Sequence, residues 1–220
     1  MNGRDAEAHA IIGFNGTGKS SLFAETIVPC YDLRSQKILI LNSATPRPFE
    51  NYYRVNNINA LMRKWHGVIL YHNPAGAKQT LIDVYNLANQ GYFYNGALMI
   101  DDATKYTNGN LPQPVKDFLV DRKAFNLDLF VTTHLLKFVP PFCRSLLNTI
   151  TLFATTDVLK SYKDVDNLDY SNSVAIYNAW KSVVDMGIQY EVPPVLKDGK
   201  VIKEGKRKRI QPHKTIATGV

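Results

Sequence analysis

Eight residues near the amino terminus, Gly13-Phe14-Asn15-Gly16-Thr17-Gly18-Lys19-Ser20, have the types and spacing to hold a polyphosphate. The glycines let the backbone turn tightly with its N–H groups facing inward. A helix opening at Lys19 adds its unpaired N–H groups and the positive end of its dipole. Lys19 can reach the β- and γ-phosphates of a nucleoside triphosphate, and the Ser20 hydroxyl suits Mg²⁺. Gly13, Asn15, Gly16, Thr17, Gly18, Lys19, Ser20 and Ser21 are therefore the expected phosphate-binding residues, with ATP and Mg²⁺ as the expected cofactors.

Asp101 and Asp102 form a second group, closing the apolar run Gly96-Ala97-Leu98-Met99-Ile100. In a parallel α/β sheet ligands collect at the carboxyl ends of strands, so these acids and the glycine-rich loop belong at one sheet edge. Asp101 is expected to accept a hydrogen bond from a metal-bound water or from Ser20, and Asp102 to orient or deprotonate the attacking water. Neighbouring residues of a regular strand point to opposite faces, so this division of roles requires the strand to end and its backbone to turn here. The run Leu129-Phe130-Val131-Thr132-Thr133-His134 ends in polar residues, of which His134 and Thr133 are placed to contact a γ-phosphate or the water. Arg122 and Arg144 flank that run, and either could reach a neighbouring subunit's γ-phosphate. Each could equally be an ordinary helix-capping or ion-paired arginine, and the sequence does not choose between them.

The elements that must position these residues alternate. Extended apolar runs fall at 8–12, 37–42, 67–72, 96–102, 127–133 and 149–153, and helical spacing falls at 19–28, 78–90, 112–122, 140–147 and 172–186. Pro29 stops the first helix. The pattern predicts an α/β protein: a P-loop NTPase with a doubly wound, mostly parallel central sheet flanked by helices, and a small C-terminal appendage. Residues 1–156 read as the P-loop ATPase core, 157–187 as a polar connection and a C-terminal helix, and 188–220 as an extended or hairpin basic tail. The chain has 220 residues, 45% hydrophobic and 20% charged, which are values of a globular protein able to bury a sizeable core. The formal charge of +7 is uneven: the segment from Val195 onward carries +6, leaving +1 for the rest. Within it, Lys203-Glu204-Gly205-Lys206-Arg207-Lys208-Arg209 suits nucleic-acid phosphates, a localisation signal, an acidic protein surface or a merely solvated end. The two cysteines, Cys30 and Cys143, make no disulfide framework and no metal spacing, and are expected as free thiols. No apolar run approaches the roughly 18 residues of a membrane span, so a membrane role would need a partner.

The phosphate loop, the strand ending in Asp101-Asp102, the stretch from Asp121-Arg122-Lys123 to Thr132-Thr133-His134, and Arg144-Ser145 before a further strand together resemble the HerA/FtsK superfamily of DNA-pumping ATPases. Within it the small size is similar to the genome-packaging ATPases of viruses with an internal membrane. The resemblance covers roughly residues 8 to 155. Two positions depart from the pattern: Asp102 stands where the superfamily has Glu, and His134 where it has a γ-phosphate-sensing Gln. The Arg-His pair before that strand corresponds here to Arg122-Lys123, which puts Arg122 ahead of Arg144 as the arginine acting in trans. The resemblance implies an ATP-dependent DNA translocase that packages a viral genome into a preformed capsid. It also implies a homo-oligomer, a hexameric ring with ATP sites shared between subunits and DNA threaded through the channel, of single- or double-stranded form. The loop from Tyr106 to Asn110 is expected to line that channel. Capsid or vertex proteins are the expected further partners, and the virion or host-cell cytoplasm the expected location. The competing readings are a virion-assembly or extrusion ATPase, a nucleotide-dependent switch and a small-molecule kinase. No compact arginine-rich lid and no Asn-Lys-x-Asp signature favours the last two.

Overall fold

The computed structural model describes residues 5–42, 47–107, 111–198 and 200–218. Its centre is an eight-stranded sheet. In chain order the strands are β1 (Ala8–Ile12), β2 (Lys37–Leu41), β3 (Tyr53–Val55), β4 (Gly67–Tyr71), β5 (Gly96–Ile100), β6 (Leu127–Thr133), β7 (Thr149–Phe153) and, after four short strands described below, β12 (His213–Ala217). They lie in the order β12-β7-β1-β6-β5-β2-β4-β3. Every pairing from β7 to β3 is parallel, and β12 runs antiparallel to β7.

Alternation along the strands supplies two cores. Ala8, Ala10, Ile12, Leu39, Leu41, Leu98, Ile100, Leu129 and Val131 face one side. There they meet helices α2 (Ala77–Asn89), α3 (Ala103–Thr107), α4 (Gln113–Val120), α5 (Pro141–Arg144), α6 (Tyr162–Asp166) and α7 (Ser173–Met186). Ile11, Ile38, Ile40, Met99 and Phe130 face the other side, against Leu22 and Phe23 from the helical segment after the glycine-rich loop. Strands β2, β5 and β6 are buried along their whole length, as parallel strands covered on both faces must be. The fold is the expected doubly wound P-loop NTPase architecture.

Several elements differ from expectation. The first helix is α-helical only as α1 (Lys19–Leu22), then widens to a π-helical turn over Phe23–Ile27 and tightens to a 3₁₀ turn over Val28–Cys30, where Pro29 removes a backbone donor. Tyr53–Val55, outside the extended runs expected from the sequence, pairs with β4 at the sheet edge. Residues 103–107 form α3 where a loop begins in the sequence reading, and 108–110 of that channel-lining loop lie outside the described residues. The basic segment is built in two parts. The short strands β8 (Tyr190–Val192), β9 (Val195–Lys197), β10 (Lys200–Lys203) and β11 (Lys206–Arg207) pair among themselves, β9 with β10 and β8 with β11. The chain then returns, and β12 completes the main sheet, so the last strand belongs to the central sheet rather than to an appendage.

Candidate functional site

The glycine-rich loop leaves β1 at the carboxyl edge of the sheet, where Gly13 N–H donates to Thr133 O at 3.1 Å and Phe14 N–H to Ala154 O at 2.9 Å. These two bonds tie the loop to the ends of β6 and β7. Gly13 allows the approach, because a Cβ there would sit 2.6 Å from the Phe153 Cβ and 2.9 Å from the Thr17 hydroxyl. Thr17, buried, donates its hydroxyl to Phe14 O at 2.9 Å and braces the turn from within. Lys19 is folded back into the loop, its Nζ donating to Gly13 O at 2.6 Å and Phe14 O at 3.2 Å. Burial lowers its pKa to about 8, while the charges of Asp101 and Asp102 pull it back up.

The acids stand opposite. β5 ends at Ile100, and Asp102 has φ +56°, so the backbone turns between the two carboxylates and the condition for separate roles is met. Asp101 accepts hydrogen bonds from the Thr132 hydroxyl at 2.7 Å and from the Asn42 amide. Burial raises its pKa against the opposing pull of Thr132 and Lys19. The Asp102 N–H donates to Thr132 Oγ1 at 2.8 Å, so one threonine hydroxyl fixes both acids. The Asp102 carboxylate pairs with Lys105 at 3.1 Å, accepts from Thr104, and lies 3.8 Å from His134 Nε2. Burial works to raise its pKa, but Thr104, Lys105 and His134 together hold it below the usual carboxylate range. Asn15, Gly16, Gly18, Lys19, Ser20, Ser21, Asn42, Pro48, Asp101, Asp102, Lys105, Thr132, His134 and Arg209 line one cleft of about 450 Å³. A roomier cleft of about 520 Å³ lies beside the amino-terminal halves of β1, β6 and β7, lined by Glu7, His9, Tyr31 and Asp128 among others, and contains none of these residues.

The structure thus brings together the loop residues, Asp101, Asp102 and His134. Thr133 turns away, its hydroxyl donating to Leu135 O at 3.1 Å. The two candidate arginines are not in the cleft. Arg122 is buried at the amino-terminal end of β6, donating to Glu7 O and Val120 O at 3.4 Å each, and this is the opposite edge of the sheet from the loop. Arg144 is buried beneath Tyr170 and donates to Val139 O at 2.9 Å and to Lys137 O and Leu168 O at 2.8 Å each. Hydrogen bonds to a charged group contribute roughly 1.5–3 kcal/mol each. Extending Arg144 toward a neighbouring molecule would break three of them, so it acts as an internal clamp on the chain around β6.

Five residues of the cleft, Asn42, Pro48, Lys105, Thr132 and Arg209, were not singled out as site residues by sequence reasoning. Asn42 carried a signal, a polar residue ending the apolar run of β2. Thr132 carried none that separated it from Thr133. Arg209 stands 188 residues from its partner Ser21, and no spacing rule links them.

Ser20 and Asp101 offer hard oxygen donors of the kind Mg²⁺ takes, and the buried Asp101 carboxyl with its raised pKa is a group that a cation would return to the charged form.

No protein-family model matches the sequence, and no curated protein is similar to it in sequence. Solved structures do share the fold. The genome-packaging NTPase B204 of Sulfolobus turreted icosahedral virus 2, in its complex with AMPPCP, superposes with a TM-score of 0.64 over 82% of this chain and 87% of that one at 15% identity. Its ATP-γS complex gives 0.63 over 83% and 87% at 14% identity. B204 of Sulfolobus turreted icosahedral virus, a DNA-packaging ATPase, gives 0.62 over 81% and 89% at 16% identity.

Proposed function

We propose that this chain is a Mg-ATP-hydrolysing motor that drives DNA into a viral capsid, acting as a ring of identical subunits. The observation that carries the reading is the single cleft in which the loop lysine Lys19, Ser20, Asp101, Asp102 and His134 meet. The fold shared with genome-packaging NTPases, one of which binds ATP analogues, supports the choice of nucleotide and of task.

Each residue has work to do in that reaction. The loop N–H groups bind the phosphates, and Lys19 exchanges two carbonyl partners for phosphate oxygens. Ser20 and Asp101 would hold Mg²⁺, which when bound offsets charge on the β- and γ-phosphate oxygens. Asn42 and Thr132 fix the Asp101 carboxylate for that purpose. Asp102, kept strongly ionised, is a better acceptor than proton store, so it orients the attacking water. His134, 3.8 Å from the Asp102 carboxylate, can help orient that water through a ring nitrogen. The basic segment 203–209 supplies sequence-independent attraction to DNA phosphates. Capsid or vertex proteins would be the ring's partners, and the virion or host-cell cytoplasm its place. No helix among the described residues is long and apolar enough to cross a membrane.

The test is Mg²⁺-dependent ATP hydrolysis with and without single- and double-stranded DNA, with Lys19→Ala as the blank and the mass in solution read alongside. DNA-stimulated turnover in a large oligomer, lost in the Lys19 variant, is the expected result. Turnover indifferent to DNA from a stable monomer would replace the motor with a switch or a kinase.

A further inference from the structure

The segment that leads into β12 lies across the phosphate loop. Gln211 N–H donates to Thr17 O at 2.9 Å. Gly18 has φ +96°, and a Cβ there would sit 2.4 Å from Arg209 O and 2.8 Å from the Ile210 Cα, so the two backbones are in direct contact. The crossing is fixed from behind. Gln211 is buried, donates to Gln189 O at 3.1 Å and Lys208 O at 2.7 Å, and accepts from Gln189 N–H at 2.8 Å. From this strap the Arg209 side chain enters the cleft, donating to the Ser21 hydroxyl at 3.2 Å and pairing with Glu25 at 2.9 Å.

Sheet order gives the strap its side. β12 begins opposite Phe153, the last residue of β7, while Asp101, Asp102, Thr132 and His134 stand at the ends of β5 and β6. β1 and its loop lie between. A nucleotide whose γ-phosphate faces Lys19 and the acids therefore directs its nucleoside toward the strap. Arg209 is the one cation on that side of the cleft among the described residues that line it; Lys19 and Lys105 serve the acid side.

Resting on the ATP reading above, we infer that Arg209 is a nucleotide-binding residue supplied in cis by the carboxyl-terminal strap, which leaves Glu25 to grip the nucleoside-side phosphate. A guanidinium matches phosphate oxygens in a bidentate fork, and Ser21, which it already holds, is in the phosphate-binding stretch itself. Glu25, 41% exposed, is the partner that yields. The basic residues Lys206, Arg207 and Lys208 immediately precede Arg209 in the chain.

The experiment is calorimetric titration of the full chain with ADP and with the β,γ-methylene analogue of ATP, alongside thermal unfolding. In Arg209→Ala the affinity for both nucleotides should fall by the same factor, about tenfold, because the contacted phosphate is common to them. Arg209→Lys, with charge but no fork, should recover part of it. Glu25→Gln should bind ADP severalfold more tightly, since the competing carboxylate is gone. A lowered melting temperature with unchanged affinity in Arg209→Ala would make Arg209 a tether only and overturn the inference. A loss confined to the triphosphate analogue would also overturn it, by moving Arg209 to the γ end. An unchanged affinity in Glu25→Gln refutes the exchange of partners. Lys19→Ala reads the underlying site: if it binds as the unaltered protein does, the ATP reading itself has failed.

Discussion

At the scale of single residues, the informative group is Lys19. Its pKa is lowered from 10.5 to about 8 by burial, so the empty site holds a lysine that loses its proton earlier than usual. A phosphate restores the charged form, and binding must then take up a proton wherever the empty site has lost it. Well below pH 7 no uptake by Lys19 is expected; it should reach about half a proton per site at pH 8 and approach about one near pH 9, because the bound lysine stays charged. Titrating ADP in buffers of different ionisation enthalpy measures this, and Lys19→Ala should abolish it. The same shift fixes the sign of its effect on folding. Between pH 8 and 10.5 the unfolded chain binds more protons than the folded one, so this residue's destabilising contribution to the empty protein is full below that window and relieved as pH rises through it. Lys19, Asp101, Asp102 and His134 were legible in the sequence because a motif and two strand ends announce them. Arg122 and Arg144 were drawn from the same pattern and proved to be internal. Sequence displays an arginine's charge but not the carbonyls of Val139, Lys137 and Leu168 that converge on Arg144.

At the scale of elements, the basic segment and β12 must be told apart. Removing everything after residue 188 would strip the strap from the loop and the edge strand from β7, including the Thr151–Thr215 hydroxyl contact at 2.9 Å and the Thr218 bond to Leu147 O. Lost DNA binding in such a truncation would report damage to the sheet. Replacing Lys206, Arg207 and Lys208 by Gln, with Arg209 kept, isolates charge. Lys206 gives up an exposed pair with Glu191, whose contribution to stability is under about 1 kcal/mol, so the melting temperature should hardly move. If these cations contact phosphates, the slope of log affinity for DNA against log salt should become shallower by about 2–3. An unchanged slope would assign them elsewhere. The parallel strands were legible because strands buried on both faces read as unbroken apolar runs, as Lys37-Ile38-Leu39-Ile40-Leu41 does. β3 and β12 were not, because edge strands need no such run. His213-Lys214-Thr215-Ile216-Ala217 holds a single large apolar residue, and its place is set by register with β7, not by its own composition.

At the scale of the molecule, the cleft is complete at one end only. Toward the nucleoside it has the strap and Arg209; toward the acids its cations are Lys19 and Lys105, and Lys105 is spent on Asp102 at 3.1 Å. Phosphoryl transfer builds charge on the γ-phosphate oxygens, and an arginine placed there changes turnover by roughly 10³–10⁵-fold. Among the described residues lining the cleft no arginine stands at that end, and Arg122 and Arg144 are committed inside the fold. In the proposed ring with shared sites, a neighbouring copy would supply that cation. The consequence is measurable without knowing which arginine it is. ADP binding, which uses the half of the site that one chain completes, should be independent of protein concentration. Turnover per chain should instead rise steeply with concentration and level off as the mass in solution reaches that of the assembled ring. Mixing in Lys19→Ala subunits separates the halves further, because such a subunit lacks its own site yet still presents its arginine to the next. Activity should then fall in proportion to the unaltered subunits remaining if sites fire independently, and faster if they fire in order. Turnover per chain that is flat from dilute monomer to concentrated oligomer would place the whole catalytic charge within one chain and remove the structural reason for a ring.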